Sequence, residues 1–281
     1  MSLLFLLALF ATSVGTGALG AILGLGGGTL LVPILTIFFG VNLHFAMGAS
    51  LVSVIATSSG AAAGFLWSGL SNLRIGLFLG VPTIAGALVG ALLVGVVPPR
   101  VLELIFGVAI GGAALITLRQ PRTETPAAPE ADPLAVSFAL EGAYDDQAIG
   151  REVTYRATAV KRGAGAMFAA GVLSGLLGIG AGAFTVLAMD SFLKLPMKVS
   201  TATSNFMIGI TAAASAGIFF GRGDVHPLIA APVAIGVLIG AYLGAFLLAR
   251  LRNTTVRRLF LVVVFYLSLS MILRGLGIRL P

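Results

Sequence analysis

Charge and cysteine are what this sequence has least of. It contains no Cys, and only 10% of its 281 residues are charged, where a soluble domain carries about 25%. The lack of Cys excludes disulfides, Cys-ligated metals and thiol catalysis. The lack of charge, with 58% apolar residues and a mean hydropathy of +1.08, leaves too little polar surface to cover a water-soluble globule. The sequence therefore predicts a protein that crosses a lipid bilayer several times.

Motifs for catalysis and for nucleic-acid binding are also lacking. There is no nucleophile elbow, no pair of carboxylates and no His-Glu-x-x-His sequence, and His44 and His226 alone do not indicate a metal site. The net charge is +7, but the cations lie between apolar segments, which suits loops that face anionic headgroups. We expect no enzyme activity, no cofactor, no metal and no nucleic-acid partner.

Eight apolar stretches are candidates for crossing the bilayer, which takes about 20 residues. Six are uninterrupted: His44–Trp67, Ile75–Val97, Val101–Leu118, Met197–Phe220, Val225–Ala249 and Val256–Leu273. Two longer ones, Leu3–Phe39 and Gly165–Leu193, are broken by glycines, with "GLGGGT" at Gly24–Thr29 and "GIGAGA" at Gly178–Ala183.

A polar linker divides the chain into two apolar halves, 1–118 and 163–281, with the linker at 119–162. The first part of the linker, "RQPRTETPAAPEADP", is rich in Pro and is predicted to be disordered. The second part has two roughly alternating runs around Asp145–Gly150, which predict a small β-hairpin outside the membrane.

The two halves are copies of one unit. A shift of 154 residues places Gly24, Gly26 and Gly28 on Gly178, Gly180 and Gly182, Ser50 on Ser204, and Thr57 on Thr211. After a slip of four residues, Pro82, Gly86 and Gly90 fall on Pro232, Gly236 and Gly240. Such a repeat is typical of secondary transporters.

The number of crossings in each half decides whether the repeats are parallel or inverted. Four crossings make them parallel and divide the Lys and Arg residues ten against seven between the two faces. Three crossings, with each Gly-broken stretch a hairpin, make them inverted and put thirteen of the 17 on one face. The positive-inside rule favours this asymmetry.

We therefore predict an all-α polytopic membrane protein of two inverted repeats, each a Gly-broken helical hairpin plus three transmembrane helices. The linker is expected in the cytoplasm and both termini in the periplasm. Whether the broken stretches cross fully or are re-entrant stays open.

The paired glycine breaks predict a central site for a small anion. Irregular backbone at membrane depth must line a cavity or be buried in protein, and a break exposes helix N-termini and N–H groups, which favour anions. The sequence "GLGGGT" lacks the Gly-Lys-Ser/Thr ending of a nucleotide loop. The alternative, that the glycines only let helices pack closely, stays open.

Polar side chains on the helices after the breaks could complete this site. Thr201, Ser204, Asn205 and Thr211 share one helical face, and Ser50 and Thr57 do the same in the first half. Hydroxyls and an amide can donate to an anion, although Ser and Thr also bond their own helix or neighbouring helices. His44 and Lys198, at the entrances of matching helices, could attract an anion or could snorkel at the interface.

Two pairs of motifs resemble the TauE/SafE family of sulfite and organosulfonate transporters. The first half carries "GAILGLGGGTLLVPIL" and "AMGASLVSVIATSSGAAAG", and the second carries "GVLSGLLGIGAGAFTVLAM" and "PMKVSTATSNFMIGITAAASAG". The match extends through "GRGDVHPLIAAPVAIGVLIGAYLG" and covers nearly the whole chain except the linker. It implies a secondary transporter or exporter of sulfite, sulfoacetate or related sulfonates in a bacterial inner membrane.

The resemblance carries Gly24, Gly26–Gly28, Pro33, Gly178, Gly180, Gly182 and Ala202–Asn205 into the site. The candidate substrate-binding residues are then Gly24, Gly26, Gly27, Gly28, Thr29, Ser50, Thr57, Gly178, Gly180, Gly182, Thr201, Thr203, Ser204, Asn205 and Thr211. Ala181 and Leu187 depart from the family pattern, which has Gly and Pro there, so the second break is expected to be more regular.

The function expected from these features is transport of a small anion by alternating access. The lipid bilayer is the other partner, a gradient is the driving force, and a coupling ion stays open as a further partner. Two alternatives stay open, a passive anion channel and a membrane sensor or scaffold that acts through the linker. The sequence does not choose a substrate, a direction, a coupling ion or an oligomeric state.

Overall fold

Helices dominate the part of the chain that the computed structural model describes, which is residues 3–93, 97–119, 132–147, 149–177 and 182–278. The helices are α1 (Leu3–Leu23), α2 (Gly28–Ile37), α3 (Leu43–Ser68), α4 (Leu73–Leu93), α5 (Pro99–Arg119), α6 (Pro133–Ser137), α7 (Val160–Leu177), α8 (Gly182–Ser191), α9 (Met197–Gly221), α10 (Pro227–Arg250) and α11 (Asn253–Gly275). The strands are β1 (Glu141–Asp146) and β2 (Arg151–Arg156).

Within the described ranges, five helices are long and apolar enough to cross a membrane: Leu4–Leu23, Leu73–Leu93, Met197–Gly221, Pro227–Arg250 and Asn253–Gly275. The prediction of a helical polytopic membrane protein with a small β-hairpin is confirmed. Gly178, Gly180 and most of the Pro-rich part of the linker, 120–131, lie outside the described residues.

Each glycine break separates a long helix from a short one. In the first break, Gly24, Gly26 and Gly27 have φ angles of 69°, 69° and 68°, a left-handed conformation that Gly adopts at no steric cost. The helices that follow the breaks, α2 and α8, have 10 residues each. At 1.5 Å per residue they are about 15 Å long, or about half of the hydrocarbon core. Neither could span the bilayer alone.

The two ends of each broken stretch lie together. In the first half, the rings of Phe5 and Phe39 are 5.4 Å apart between centroids. In the second half, the Thr158 N–H donates to the Leu193 carbonyl at 3.1 Å, and the Thr158 hydroxyl donates to the Phe192 carbonyl at 3.1 Å. Each broken stretch therefore returns to the place where it began, as a hairpin does.

Small residues join the two halves. Helix α1 packs on α10, and its repeat-related counterpart α7 packs on α4. A Cβ added to Gly240 would clash with the Val14 carbonyl, and one added to Gly90 would clash with the Val172 carbonyl. Small residues allow such close backbone approach between membrane helices. The glycines of α4 and α10 that the repeat aligns therefore serve the same packing in both halves.

The linker forms the predicted β-hairpin and also the short helix α6, which sequence alternation did not predict. Strands β1 and β2 are antiparallel, with Glu141 opposite Arg156. Asp132 caps α6 by accepting the Leu134 N–H at 2.9 Å, and it accepts the Val160 N–H of α7 at 2.8 Å. The bond from Val160, followed by that from Leu134, holds the pKa of Asp132 below its usual value.

The hairpin lies against helix ends from both halves. The Asn72 side-chain amide, in the turn between α3 and α4, donates to the Tyr155 hydroxyl at 3.1 Å. The Asn253 amide, at the start of α11, donates to the Tyr144 hydroxyl at 3.0 Å. Burial is the main cause that raises the pKa of Tyr144 to about 12. The inner face of the hairpin is thus part of the folded body.

The start of α3 lies at the end of the molecule opposite the β-hairpin. A Cβ on Gly48 would clash with the Asp224 carbonyl, just after the end of α9. Nearby, the rings of Phe45 and His226 are 5.6 Å apart between centroids. Helix α9 begins beside the β-hairpin and ends beside the start of α3, so these two repeat-related helices begin at opposite ends of the molecule.

Candidate functional site

The first glycine break touches the start of α8. A Cβ added to Gly182 would lie 2.5 Å from the Gly24 carbonyl oxygen and 2.7 Å from the Leu25 Cα. The Ser204 hydroxyl lies 3.1 Å from the Gly24 carbonyl oxygen, 3.4 Å from that of Gly182 and 2.6 Å from the Thr185 hydroxyl. One side chain of α9 therefore reaches both Gly-broken stretches.

The N-terminus of α8, at Gly182, lies at this contact, and α2 begins at Gly28, four residues after Gly24 along the chain. Backbone bonds within the first break use the N–H groups of Gly24, Leu25 and Gly28. Among the described residues, no backbone acceptor is found for the N–H groups of Gly26, Gly27 and Thr29. Free N–H groups and the positive end of a helix dipole favour negative charge without a charged side chain.

Helix α9 covers the first break. A Cβ on Gly24 would lie 3.0 Å from the Thr201 Cα, and one on Gly26 would lie 3.0 Å from the Ile208 Cδ1. The Asn205 Nδ2 donates to the carbonyls of Ala21 at 2.9 Å and Thr201 at 3.0 Å. Thr201, Ser204 and Asn205 are all fully buried. These predicted site residues come together at the end of α1.

The comparison with known proteins fits this architecture. The family model for the sulfite exporter TauE/SafE matches residues 9–271. The chain belongs to the TauE/SafE family.

Curated relatives of this TauE/SafE protein are named as membrane transporters. The probable membrane transporter protein YunE of Bacillus subtilis (strain 168) is 26% identical over 270 residues, which are 92% of this chain and 94% of the relative. The probable membrane transporter protein YdhB of the same organism is 29% identical over 238 residues, which are 84% of this chain and 86% of the relative. No solved structure matches the chain. We conclude that the chain is a multi-pass membrane transporter.

Other predicted site residues of the TauE/SafE protein have local partners. Thr29 donates to the Leu25 carbonyl at 2.9 Å, and Thr57 donates to the Ser53 carbonyl at 2.8 Å. Both remain at the break, since the Thr57 hydroxyl oxygen would lie 3.1 Å from a Cβ on Gly27.

Three further predicted residues are not shown to reach the contact between the breaks. Among the described contacts, the Thr211 hydroxyl bonds only the Met207 carbonyl of its own helix. The Thr203 hydroxyl accepts the Asn72 N–H at 3.1 Å, at the α3–α4 turn. The Ser50 hydroxyl is buried and has no hydrogen-bond partner among the described residues, and no described contact joins it to the first break.

The two expected entrance residues differ. His44 is exposed at the start of α3. Lys198, in contrast, has a side chain only 1% exposed, 2.8 Å from the Asp146 carboxylate of the β-hairpin. The expectation that Lys198 snorkels at the interface is wrong, because the hairpin covers it and neutralises its charge.

Two residues that contact predicted site residues were not predicted from the sequence. Thr185 bonds Ser204, and the hydroxyl at the start of the ten-residue helix after the second break was a signal that could have indicated it. Asp146 pairs with Lys198. Its position on the inward side of the alternating strand β1, two residues after Tyr144, was the corresponding signal.

Proposed function

We propose that this TauE/SafE protein is a secondary transporter of small sulfur-containing anions, such as sulfite, sulfoacetate or other organosulfonates. It acts by alternating access in the bacterial inner membrane and not as an enzyme. The observation that carries the proposal is the meeting of the two Gly-broken stretches at Ser204. The family description, a sulfite exporter, supports the substrate class.

The chemistry of the contact suits an oxyanion. Sulfite and sulfonates present three oxygens that accept hydrogen bonds, and the break offers the N–H groups of Gly26, Gly27 and Thr29. The hydroxyls of Ser204 and Thr185 donate to the carbonyls of Gly24 and Gly182 and hold the two breaks together. Lys198 is already paired with Asp146. Binding by dipoles and neutral donors holds an anion without the strong attraction of a fixed positive charge, which would slow its release.

Inverted repeats are part of the proposal. Each Gly-broken stretch returns to its starting point, which leaves three crossings in each half. The repeat-related helices α3 and α9 begin at opposite ends of the molecule. The linker, 119–162, would then separate the repeats 1–118 and 163–281 on the cytoplasmic side, with both termini periplasmic. Rocking of one repeat against the other would expose the site to each side in turn.

Counterflow of labelled sulfite into proteoliposomes tests the proposal. We expect Ser204→Ala to lower the initial rate about tenfold or more, because it removes the hydroxyl that reaches both breaks. Ser215→Ala is the matched control, since Ser215 is equally buried on α9 and bonds its own helix. An unchanged rate in Ser204→Ala would show that the site is assigned wrongly.

The same assay separates the alternatives. A passive channel gives sulfite flux without counterflow. A sensor or scaffold gives neither sulfite flux nor counterflow. Its function would be lost when residues 123–132 and the hairpin are deleted.

A further inference from the structure

The Asn205 side chain presents a buried acceptor that none of the described residues satisfies. Both of its amide hydrogens are used, because Nδ2 donates to the carbonyls of Ala21 and Thr201. These two carbonyls fix the orientation of the amide. Its Oδ1 is buried, and no hydrogen-bond partner is found for it among the described residues. Asn205 therefore offers its surroundings a lone pair and no donor.

A second and a third unsatisfied oxygen lie within two turns of the same helix. Thr201 precedes Asn205 by four residues and shares its face, and its hydroxyl is buried with no hydrogen-bond partner in the described part of the chain. The hydroxyl of the neighbouring Ser200 is in the same state. By contrast, Thr211 and Ser215 of α9 bond the carbonyl four residues earlier. Buried polar groups are normally satisfied, so this cluster indicates a ligand.

The end of α1 adds negative partial charge to the cluster. Helix α1 ends at Leu23, and the Gly24 that follows packs against Thr201. The carbonyls of Ile22 and Leu23 accept no backbone hydrogen bond among the described residues outside regular helix bonding. The carbonyl end of a helix favours a cation.

The internal repeat supplies a comparison within the molecule. The shift of 154 residues places Met47 at the position of Thr201 and Leu51 at that of Asn205. Both are buried, with 4% and 2% of their surface exposed. The fold therefore accepts apolar side chains at these positions, and the polar ones in the second half need another explanation.

We infer that Asn205 Oδ1, Thr201 Oγ1 and the carbonyl end of α1 form a site for a monovalent cation such as Na⁺. This deepens the proposed transport function and rests on it, because the cation would be the coupling ion. The two ions would then lie on opposite sides of the first glycine break, with the cation at the carbonyl end of α1 and the anion at the N–H end of α2.

The chemistry of the donors selects the ligand class. An anion would face the lone pair of Oδ1, and both amide hydrogens are already engaged. Divalent cations prefer carboxylates, whereas these oxygens belong to an amide, a hydroxyl and backbone carbonyls. Transporters bind Na⁺ with unwound carbonyls and the C-terminal ends of half-helices. Neutral oxygens at a helix C-terminus therefore fit a monovalent cation best.

Thermal unfolding of the purified, substrate-free protein tests the inference, with NaCl, KCl and choline chloride compared at equal ionic strength. We expect a saturable rise in apparent Tm of about 2 °C or more with Na⁺ or K⁺ over choline. Thr201→Val keeps the β-branched shape and removes the unpartnered hydroxyl. It should unfold in choline at the wild-type temperature or above and show no rise. Asn205→Leu, which installs the residue of the other half, should also lose the rise.

The controls separate a ligand from a structural role. Thr201→Ser keeps a hydroxyl, and Ser215→Ala changes a serine outside the cluster, so both should keep the rise. A wild type indifferent to the cation would overturn the inference and leave water as the partner. A rise in apparent Tm in Thr201→Val equal to that of the wild type would also overturn the inference. If Asn205→Leu does not fold, the result for Thr201→Val alone decides. Intact sulfite counterflow with no cation response sinks this inference alone, whereas a cation response without counterflow sinks the proposed substrate.

Discussion

At the scale of single residues, one buried ion pair anchors the linker to the helices. The Lys198 Nζ lies 2.8 Å from the Asp146 Oδ1, with side chains 1% and 2% exposed. Charges at such depth are costly unless both are satisfied. The Lys198 ammonium also donates to the Ala249 carbonyl at 3.3 Å, and the Asn253 amide reaches Asp146 Oδ2 at 3.4 Å. The pair and its neighbours therefore form one polar unit between the hairpin and three helix ends.

Loss of either partner should destabilise the protein. Asp146→Asn leaves a buried ammonium without its countercharge and should cost about 3–5 kcal/mol, measured as a lower Tm of the purified protein. Asp146→Asn combined with Lys198→Met should cost less than the sum of the single changes. Glu141→Gln is the control, because it breaks the exposed Arg156–Glu141 pair and should cost at most about 1 kcal/mol. If Asp146→Asn and Glu141→Gln lower the stability equally, this prediction is wrong.

At the scale of elements, glycines set the distance between α4 and α7. A Cβ on Gly90 would clash with the Val172 carbonyl, and one on Gly171 would clash with the Thr83 carbonyl. Elsewhere on α4, a Cβ on Gly80 would meet no atom within 4 Å. Helix α4 therefore carries one glycine, Gly90, that close packing requires and another, Gly80, that it does not require.

Gly90→Ala should separate these helices and Gly80→Ala should not. We expect Gly90→Ala to cost about 1–3 kcal/mol, as overpacking does, and to lower the Tm and the rate of sulfite counterflow. Gly80→Ala should be neutral or stabilise by up to about 1 kcal/mol, since Ala favours a helix. If the two variants unfold alike, close packing is not why α4 carries these glycines.

Hydropathy and repeat symmetry predict most elements, because both depend on local sequence. Val225–Ala249 was predicted where α10 covers Pro227–Arg250, and the alternating runs of the linker predicted the hairpin. Helix α6 was not predicted, although Asp132 followed by Pro133 is a local signal for a helix start, because five residues are too few to show a helical hydropathy pattern. The bond from Val160 to Asp132, 28 residues apart, is a tertiary contact that the sequence does not reveal.

Tertiary contacts explain what the sequence could not predict about the site. The internal repeat predicted a central site at the two glycine breaks. Which hydroxyl reaches both breaks depends on how α9 is rotated about its axis. The structure brings Ser204 to the breaks and turns Thr203 to Asn72. For the same reason the pairing of Lys198 with Asp146, 52 residues earlier, was not visible.

At the scale of the whole molecule, the hairpin touches both repeats at one face. It bonds Asn72 of the first repeat through Tyr155 and Lys198 of the second through Asp146. In alternating access, the repeats must separate at this face when it opens. The hairpin must then break its contact with Asn72 or its contact with Lys198, or it must move together with both repeats.

The faces of the membrane can be read directly, because the chain has no Cys and a single introduced Cys reports one position. Inverted repeats place the β-hairpin and the end of α11 on opposite faces, whereas parallel repeats place them on the same face. We expect a membrane-impermeant maleimide to label Leu276→Cys in intact cells, and to label Asp145→Cys only after permeabilisation. Both native residues are exposed. Lys161→Cys, at the exposed start of α7, should behave as Asp145→Cys does. If Leu276→Cys and Asp145→Cys are labelled together in intact cells, or both only after permeabilisation, the repeats are parallel and the proposed rocking mechanism fails with them.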